Sequence, residues 1–270
     1  MGKQLLAKLL PSLEKAKWPQ NERATDLGRR TYEVALDNIN SYKDDPKVLA
    51  GALRTLQTSD SRPFAFAGVA YTLIAASREA DGSYDPDGLE AAMGWLERAQ
   101  ETEPDIVDIN MVEAFVYIYD GRLDDARLVL DYLQNQEPHS YYLQTAEFAY
   151  WLACEELEQI EYWFAQASKE ANTVPQRLRL LSRMADAFMK FGRLDDALAK
   201  YKEASHFDAE NHWLFHRMSE VCWQQENYEE AAHYNKRAIK LQDFPEGRQM
   251  ETALKEKLGG TGVLGRLFGN

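Results

Sequence analysis

The sequence predicts an all-α protein of the solenoid class, in which paired helices stack on one another as repeats. One observation is a hexapeptide, Gly-Arg-Leu-Asp-Asp-Ala, that occurs at residues 121–126 and again at residues 192–197. Another is a period of about 34 residues that relates the helix after Gly192 to the helix after Asn227. Within one such helix the small and apolar residues fall on a single face: Leu194, Ala197, Tyr201 and Ala204. One helix pair buries too little apolar area to offset its own chain entropy, so further copies are expected.

Five second helices share this register. Their first apolar residues follow one another at a constant interval, except where three extra residues near 172–175 lengthen one interval. These first residues are Leu89, Leu123, Leu157, Leu194 and Tyr228. Before the turn at Gly192, a first helix carries its own apolar stripe, which includes Leu181, Met184 and Phe188. A register kept over several periods is hard to obtain by chance.

The units resemble tetratricopeptide repeats. The match is closest at Met184, Ala185, Phe188, Gly192, Leu194, Ala197, Tyr201 and Ala204. Elsewhere the pattern departs from the family: Glu155 and Glu226 stand at the glycine turn, and Glu113 and Glu147 stand at apolar positions of first helices. The resemblance covers roughly residues 61–241 and implies a helical superhelix with a concave groove for a protein partner.

The chain is expected to divide into four segments. Residues 1–60 should hold N-terminal helices that form a degenerate repeat or a cap, and residues 61–245 the repeat array. Residues 246–258 should form a capping helix, and residues 259–270 a flexible, glycine-rich apolar tail. Caps are expected because a terminal repeat lacks a neighbour on one side.

The elements follow in order from the amino end. Residues 3–17 predict an amphipathic helix with leucines on one side and lysines elsewhere, which caps the first repeat or, as the alternative, lies on a membrane surface. Helices are expected next at residues 21–41 and from Pro46 to Leu56, where proline suits the first helical position. A clearer first helix spans Pro63 to Ala80, and its partner begins near Asp87.

The loop between those two helices has the alternating oxygen side chains of a calcium site, at Asp81, Ser83, Asp85 and Asp87. However, Pro86 stands where such a site needs glycine, and Ala92 stands where it needs the closing glutamate. Turn chemistry with Asp87 as the helix cap is therefore the preferred interpretation.

The tail carries an apolar segment, Val263–Phe268, behind a glycine-rich stretch. It has the character of a docking peptide, and contacts with the chain itself, including self-association, with a partner or with a membrane are left open. A frayed end explains the same residues.

Composition restricts the class of partner. The formal net charge is −13, from 44 acidic and 31 basic residues, which disfavours nonspecific binding to nucleic acid or anionic lipid. The two cysteines, Cys154 and Cys222, are expected to be buried thiols without a disulfide. The sequence contains neither a stretch of about 18 apolar residues nor a secretory signal, so a cytoplasmic protein is expected.

The chain is expected to be non-enzymatic, with no cofactor and no metal, because it lacks a Ser-His-Asp arrangement, a phosphate loop and a paired-cysteine motif. His212, His216 and Glu220 do follow one another at i, i+4 and i+8 on one helix. A metal-dependent hydrolase at this place is kept as an alternative, although Glu220 lies two turns from His212.

The resemblance implies that one stripe of each first helix lines the groove. The partner-binding residues expected on this basis are Phe115, Tyr119, Tyr142, Arg179, Arg183, Lys190, Trp213, His216 and Arg217. The groove should be aromatic at one end and basic at the other, and converging arginines suit the carboxylates of an acidic segment. The alternative is that the arginines pair with Asp186 and Glu220 inside the groove.

The function expected from these features is a scaffold or adaptor that holds a peptide or helix of another protein in the groove. The alternative is a membrane-associated assembly factor tethered by its terminal segments. The clamp with which some family members hold a chaperone tail is not expected, because Met111, Phe115 and Ala146 occupy three of its positions.

Overall fold

The computed structural model is all-α, which confirms the predicted fold class. It describes residues 2–40, 46–79, 82–137 and 139–259, and these residues form fourteen helices and no strand. The helices are α1 (Gly2–Lys15), α2 (Asp26–Asn40), α3 (Pro46–Gln57), α4 (Arg62–Ser77), α5 (Pro86–Gln100), α6 (Val107–Tyr119), α7 (Leu123–Gln134), α8 (Tyr141–Cys154), α9 (Leu157–Glu170), α10 (Val174–Lys190), α11 (Leu194–Phe207), α12 (His212–Gln224), α13 (Tyr228–Leu241) and α14 (Pro245–Gly259).

The helices group into two compact units, Met1–Gln176 (unit 1) and Arg177–Asn270 (unit 2). In unit 1 the pairs α2–α3, α4–α5, α6–α7 and α8–α9 follow one another, and the first helix of each pair packs against the first helix of the next. In unit 2, α12 packs against α11 and α13, and α13 packs against α14. Each pair thus buries its apolar stripe against its neighbours, as repeat architectures require.

The second helices keep the predicted register. α7 and α9 begin at Leu123 and Leu157, and α11 and α13 begin at Leu194 and Tyr228. The interval from α7 to α9 equals that from α11 to α13, whereas the interval from α9 to α11 is three residues longer. These extra residues fall between α9 and α10, at the loop that the sequence indicates. The small residues of the stripe, such as Ala126, are completely buried and allow close helix packing.

The repeated hexapeptide builds the same structure in both units. In unit 1 the guanidinium of Arg122 lies 4.4 Å from the centre of the Tyr117 ring, and its Nε donates a hydrogen bond to Asp125 at 2.8 Å. Arg193 in unit 2 repeats this arrangement over a phenylalanine ring at the same distance, with a carboxylate acceptor at 2.7 Å. The arginine thereby joins the end of the first helix to the start of the second.

Four turns between paired helices share a left-handed residue that closes the first helix. Gly121 and Gly192 have φ angles of 77° and 72°, and Glu155 and Glu226 have φ angles of 61° and 59° at the equivalent positions. In each turn the following residue donates its amide to a carbonyl five residues back, as in a Schellman motif. The two glutamates therefore adopt a backbone conformation that favours glycine.

Replacing Glu226 with glycine is expected to stabilise the chain by about 0.5 to 1 kcal/mol, because glycine adopts this conformation without strain while adding some entropy to the unfolded state. The converse change, Gly192→Ala, is expected to cost about 1 kcal/mol. A Cβ at Gly192 would meet no atom within 4 Å, so this loss reports on the backbone alone. Urea unfolding followed by far-UV circular dichroism measures both changes in stability. If the urea midpoint shifts in the same direction in the two variants, the left-handed conformation is not what sets the stability of these turns.

The N-terminal helix packs inside unit 1. α1 lies against α4, and Leu6, Leu9 and Leu13 are buried. Immediately after it, the Trp18 ring contacts Trp95 edge-on, with centroids 5.4 Å apart. The leucines that a membrane-bound helix would insert into lipid are thus buried against protein, and none of the described helices is long and apolar enough to cross a bilayer.

The loop before α5 shows where its cap lies. Asp85, not Asp87 as the sequence suggested, is the N-cap, and its carboxylate accepts a hydrogen bond from the Gly88 amide at 3.1 Å. The difference arises because the helix begins at Pro86, which suits the first helical position. Asp81, part of the discarded calcium pattern, lies outside the described residues.

The two cysteines are free thiols in different environments. Cys222 is completely buried, and burial raises the pKa of its thiol to about 12. Cys154, at the end of α8, is only half-buried, so the expectation of a buried thiol is wrong for this residue. The expected C-terminal helix is present as α14, whereas the segment Val263–Phe268 lies outside the described residues.

Candidate functional site

The aromatic residues predicted for the groove in α6 are covered by other residues of unit 1. Phe115 is 1% exposed, and its ring forms a T-shaped pair with the Tyr71 ring at a centroid distance of 5.7 Å. Tyr119 stacks on Tyr84 from the loop before α5, with centroids 4.1 Å apart and planes 13° apart. These two rings therefore belong to an internal aromatic stack.

Tyr142, the predicted groove residue of α8, is covered by α2. The Tyr32 ring lies 6.5 Å from the Tyr142 ring and 5.7 Å from that of Phe64, and Tyr32 is fully buried. The Tyr32 hydroxyl donates a hydrogen bond to the backbone carbonyl of Asp108 at 3.0 Å. Helix α2 thus contacts α4, α6 and α8 through one side chain and closes this face of unit 1.

Other residues of α6 and α8 on the same side as these rings are also buried, namely Asp108, Met111, Val112, Thr145, Ala146 and Ala149. The physical reason is that large rings from α2, α4 and the loop before α5 occupy the space that an open groove would leave to a partner. Sequence analysis missed Tyr32 in this role. Its place in a first-helix pattern after Leu27-Gly28 was the available signal.

Asp108 is a charged group inside this closed face. Its carboxylate lies 3.4 Å from Nε of Arg29. Burial raises the pKa of Asp108 to about 6, while Arg29 opposes the shift and the carboxylates of Glu137 and Glu33 add to it. Unit 1 therefore folds more readily with Asp108 protonated.

The pH dependence follows from this raised pKa. The folded chain keeps a proton on Asp108 up to about pH 6, whereas the unfolded chain releases it near pH 4. The free energy of unfolding should therefore fall between about pH 4 and pH 6 and change no further, through this group, outside that range. Asp108→Asn is expected to remove that decline. The measurement is urea unfolding of both proteins from pH 4 to pH 7; parallel curves for the two proteins contradict the assignment.

A buried ion pair accounts for one departure from the family pattern. Glu147 is 1% exposed, and its two carboxylate oxygens accept hydrogen bonds from Arg127 on α7 at 2.8 and 2.7 Å. These hydrogen bonds raise the pKa of Arg127 above its ordinary value, against the effect of burial. A glutamate is tolerated at an apolar position because the preceding repeat supplies a bidentate partner.

In unit 2 the predicted basic residues lie along α10. Arg179 and Arg183 are half-buried and Lys190 is exposed. Within the sequence of α10, Asp186 is the one acidic residue. This helix is therefore a basic element in an acidic protein.

Arg217 on α12 is engaged within unit 2. Its guanidinium contacts the carboxylates of Asp186 and Glu220, each at 2.5 Å, and its Nε donates to the Tyr201 hydroxyl at 3.0 Å. That hydroxyl in turn donates to Asp186. Burial alone would lower the pKa of Arg217, but the two carboxylates raise it above its ordinary value. The alternative interpretation of internal pairing thus describes this arginine.

The remaining predicted residues, Trp213 and His216, pack around Phe244. The centroid of the Phe244 ring lies 5.1 Å from that of Trp213 and 5.2 Å from that of His216. Trp213 is half-buried, whereas His216 is 4% exposed, and burial lowers the pKa of His216 below 6.5. Among the described residues, no group of three or more His, Cys, Asp or Glu side chains is placed to hold a metal ion. The hydrolase alternative gains no support.

No model of a protein family matches the sequence, and no curated protein matches it either. Among solved structures, MamA of MSR-1 is 18% identical over 57% of this chain and 86% of its own, with a TM-score of 0.44. MamA of AMB-1 is 17% identical over 68% of this chain and 93% of its own, also with a TM-score of 0.44.

Yeast Tom70, a tetratricopeptide-repeat solenoid, superposes with a TM-score of 0.53 over 88% of this chain, at 10% identity. The chain has the tetratricopeptide-repeat fold. It spans 60% of the Tom70 chain. Within this tetratricopeptide-repeat fold, Phe115 and Tyr142 of unit 1 are buried and Tyr119 is half-buried. The unit 2 residues expected to line the groove that retain solvent exposure are Arg179, Arg183, Lys190, Trp213 and Arg217.

Proposed function

We propose that the chain is a non-enzymatic protein-binding scaffold, and that a segment of its partner lies along α10 and α12 of unit 2. The observation that carries this proposal is the basic character of α10. Arg179, Arg183 and Lys190 keep solvent exposure there, with Asp186 as the one acidic residue of the helix.

The chemistry of this face indicates an acidic segment. Guanidinium groups bind carboxylates through pairs of hydrogen bonds, and a lysine adds charge without fixed geometry. Trp213 on α12 offers a half-exposed ring for an apolar side chain of the same segment. Arg217 is held by carboxylates of unit 2, so its role in the proposal is to order α10 and α12 rather than to contact the partner.

The proposal is tested by capture from an extract of the source cells. The double variant Arg183→Glu with Lys190→Glu should lose a partner that the wild-type chain retains. Capture by the wild-type chain should itself weaken as the ionic strength is raised, because the contact is between opposite charges. The matched control is Lys236→Glu with Lys240→Glu, the same charge change on α13. A partner lost equally from both variants, or retained by both, overturns the assignment to α10.

A cytoplasmic location is part of the same proposal. Two free cysteines, one of them half-exposed, suit a reducing compartment. Fractionation of source cells tests this location. Recovery of the protein in the particulate fractions only contradicts it.

A further inference from the structure

Two buried polar atoms of unit 1 have no hydrogen-bond partner in the described part of the chain. They are Oδ1 of Asp37 on α2 and the hydroxyl oxygen of Tyr142 on α8. Tyr142 is 7% exposed and Asp37 is half-buried. A buried polar group without a partner lowers the stability of a fold, and native proteins keep such groups mainly where they serve a function. These two atoms therefore mark a candidate binding site.

The Tyr142 hydroxyl lies near two carboxylates of α2. Burial raises the pKa of Tyr142, and the charges that raise it most after burial are those of Asp37 and Glu33. Asp37 follows Glu33 by one helical turn, so the two side chains are neighbours on α2. The Tyr142 ring also lies 6.5 Å from that of Tyr32 on the same helix. Because the effect of a charge falls with distance, the hydroxyl and the two carboxylates belong to one place.

The start of α10, whose residues up to Gln176 belong to unit 1, also borders this place. Thr173 and Gln176 form a capping box in which each side chain accepts a hydrogen bond from the backbone amide of the other, both at 3.3 Å. The Thr173 hydroxyl and the Gln176 side-chain amide also donate hydrogen bonds to the Asp37 carboxylate. Since Oδ1 of Asp37 has no partner, these two donors act on Oδ2. The Tyr141 hydroxyl donates to the Gln176 carbonyl at 3.3 Å, which holds this turn against α8.

The charge of Asp37 is not balanced by these contacts. Burial raises the pKa of Asp37, and the hydrogen bonds from Thr173 and Gln176 oppose the shift without cancelling it. Both donors are neutral, whereas buried carboxylates are normally paired with a cation. The nearby cations Arg29 and Arg30 act instead on Glu33, whose pKa they lower against the effect of burial. The place therefore offers a hydrogen-bond acceptor and a negative charge to a group that supplies donors and a positive charge.

We propose that unit 1 binds a lysine side chain of a partner protein, with the ammonium group between Oδ1 of Asp37 and the Tyr142 hydroxyl. Glu33 is exposed and marks the side from which the lysine enters. An ammonium has three donors, enough for Asp37, Tyr142 and Glu33 together, and its apolar stem can lie along buried side chains. An arginine fits less well, because its bidentate pair needs both oxygens of a carboxylate and Oδ2 of Asp37 is already used.

This lysine site is separate from the proposed partner-binding face of unit 2. That face is basic and suits an acidic segment, whereas the lysine site consists of residues of unit 1 and suits a basic one. The inference does not depend on the proposed function, and each is tested by variants that leave the other unaffected.

The test is a titration of a fluorescently labelled peptide with the full-length chain. The peptide has blocked ends and one lysine among glycines and alanines, and a second peptide has norleucine in place of the lysine. Fluorescence anisotropy should show saturable binding of the lysine peptide only. In the spectrum of the chain with ¹³C-labelled tyrosine rings, the Tyr142 signal, identified by its loss in Tyr142→Phe, should shift as the lysine peptide is added.

Two substitutions should weaken binding without unfolding the chain. Asp37→Asn removes a charge-assisted hydrogen bond, so the affinity for the lysine peptide should fall at least about tenfold. Tyr142→Phe removes a neutral hydrogen bond, and the affinity should fall about threefold. Both variants should be at least as stable as the wild-type chain in urea, because Asp37→Asn removes a buried charge and Tyr142→Phe removes a buried hydroxyl without a partner.

The matched control is Asp124→Asn, the same change at an exposed aspartate at the start of α7 in unit 1. Its affinity for the lysine peptide should equal that of the wild-type chain. Absence of saturable binding, as expected if water alone bridges the two atoms, overturns the proposal. Equal binding of the norleucine peptide, or equal affinity of Asp37→Asn and Asp124→Asn, also overturns it. The variant Arg183→Glu with Lys190→Glu should bind the lysine peptide like the wild-type chain, so the two proposals fail separately.

Discussion

Tyr32→Ala is expected to lower the free energy of unfolding by about 3 to 5 kcal/mol, the range for truncating a large buried ring. Tyr32 is fully buried between Phe64 and Tyr142, and its hydroxyl donates to the carbonyl of Asp108. The truncation leaves a cavity at the point where α2 meets α6 and α8. Urea unfolding measures the loss, and amide hydrogen exchange should show faster exchange in α2 and α8.

Two phenylalanine substitutions separate the ring from the hydroxyl. Tyr32→Phe keeps the ring and removes a satisfied donor, so a loss of about 1 kcal/mol is expected. Tyr142→Phe removes a buried hydroxyl that has no hydrogen-bond partner in the described part of the chain, so its stability should be unchanged or slightly higher. If the urea midpoint of Tyr32→Ala equals that of the wild-type chain, the packing of α2 through Tyr32 does not stabilise unit 1.

Arg127→Ala is expected to cost about 3 kcal/mol, because it leaves the buried carboxylate of Glu147 without a partner. Removing one partner of a buried ion pair costs about 3 to 5 kcal/mol. The lower value applies here because 27% of the Arg127 side chain is exposed, so water can reach the Glu147 carboxylate once the arginine is removed. Chemical unfolding followed by tryptophan fluorescence measures the effect.

The double change to Arg127→Leu with Glu147→Leu should recover most of that loss, since a buried ion pair and apolar side chains of similar volume are often equivalent in stability. Arg122→Ala, which removes a more exposed arginine just before α7 with its ion pair to Asp125 and its contact with the Tyr117 ring, should cost no more than about 1 kcal/mol. A large loss at Arg122, or no recovery in the double variant, contradicts the role given to the Arg127–Glu147 pair.

The repeat register was predictable because its signals are local. The apolar stripe of each helix and the turn glycines at Gly121 and Gly192 depend on residues within one period, and the helix starts follow them closely. The spacing alone identifies Glu155 and Glu226 as turn residues, but it does not show that both adopt the left-handed conformation. A repeated local pattern thus predicts the elements and their pairing.

The state of the groove was not predictable in the same way. Whether Phe115 and Tyr142 face solvent depends on contacts between distant parts of unit 1. Tyr32 on α2 lies against the Tyr142 ring on α8, which comes several repeats later in the chain. A contact between residues so far apart in the chain produces no periodic pattern in the sequence.

The difference between the two cysteines has a practical consequence. With a thiol pKa near 12 and no solvent access, Cys222 is closed to alkylating reagents at neutral pH, whereas Cys154 is accessible at the end of α8. A maleimide fluorophore therefore attaches at one defined place without any mutation. Because that place is next to the turn between α8 and α9, the native sequence already contains a labelling position for spectroscopy of unit 1.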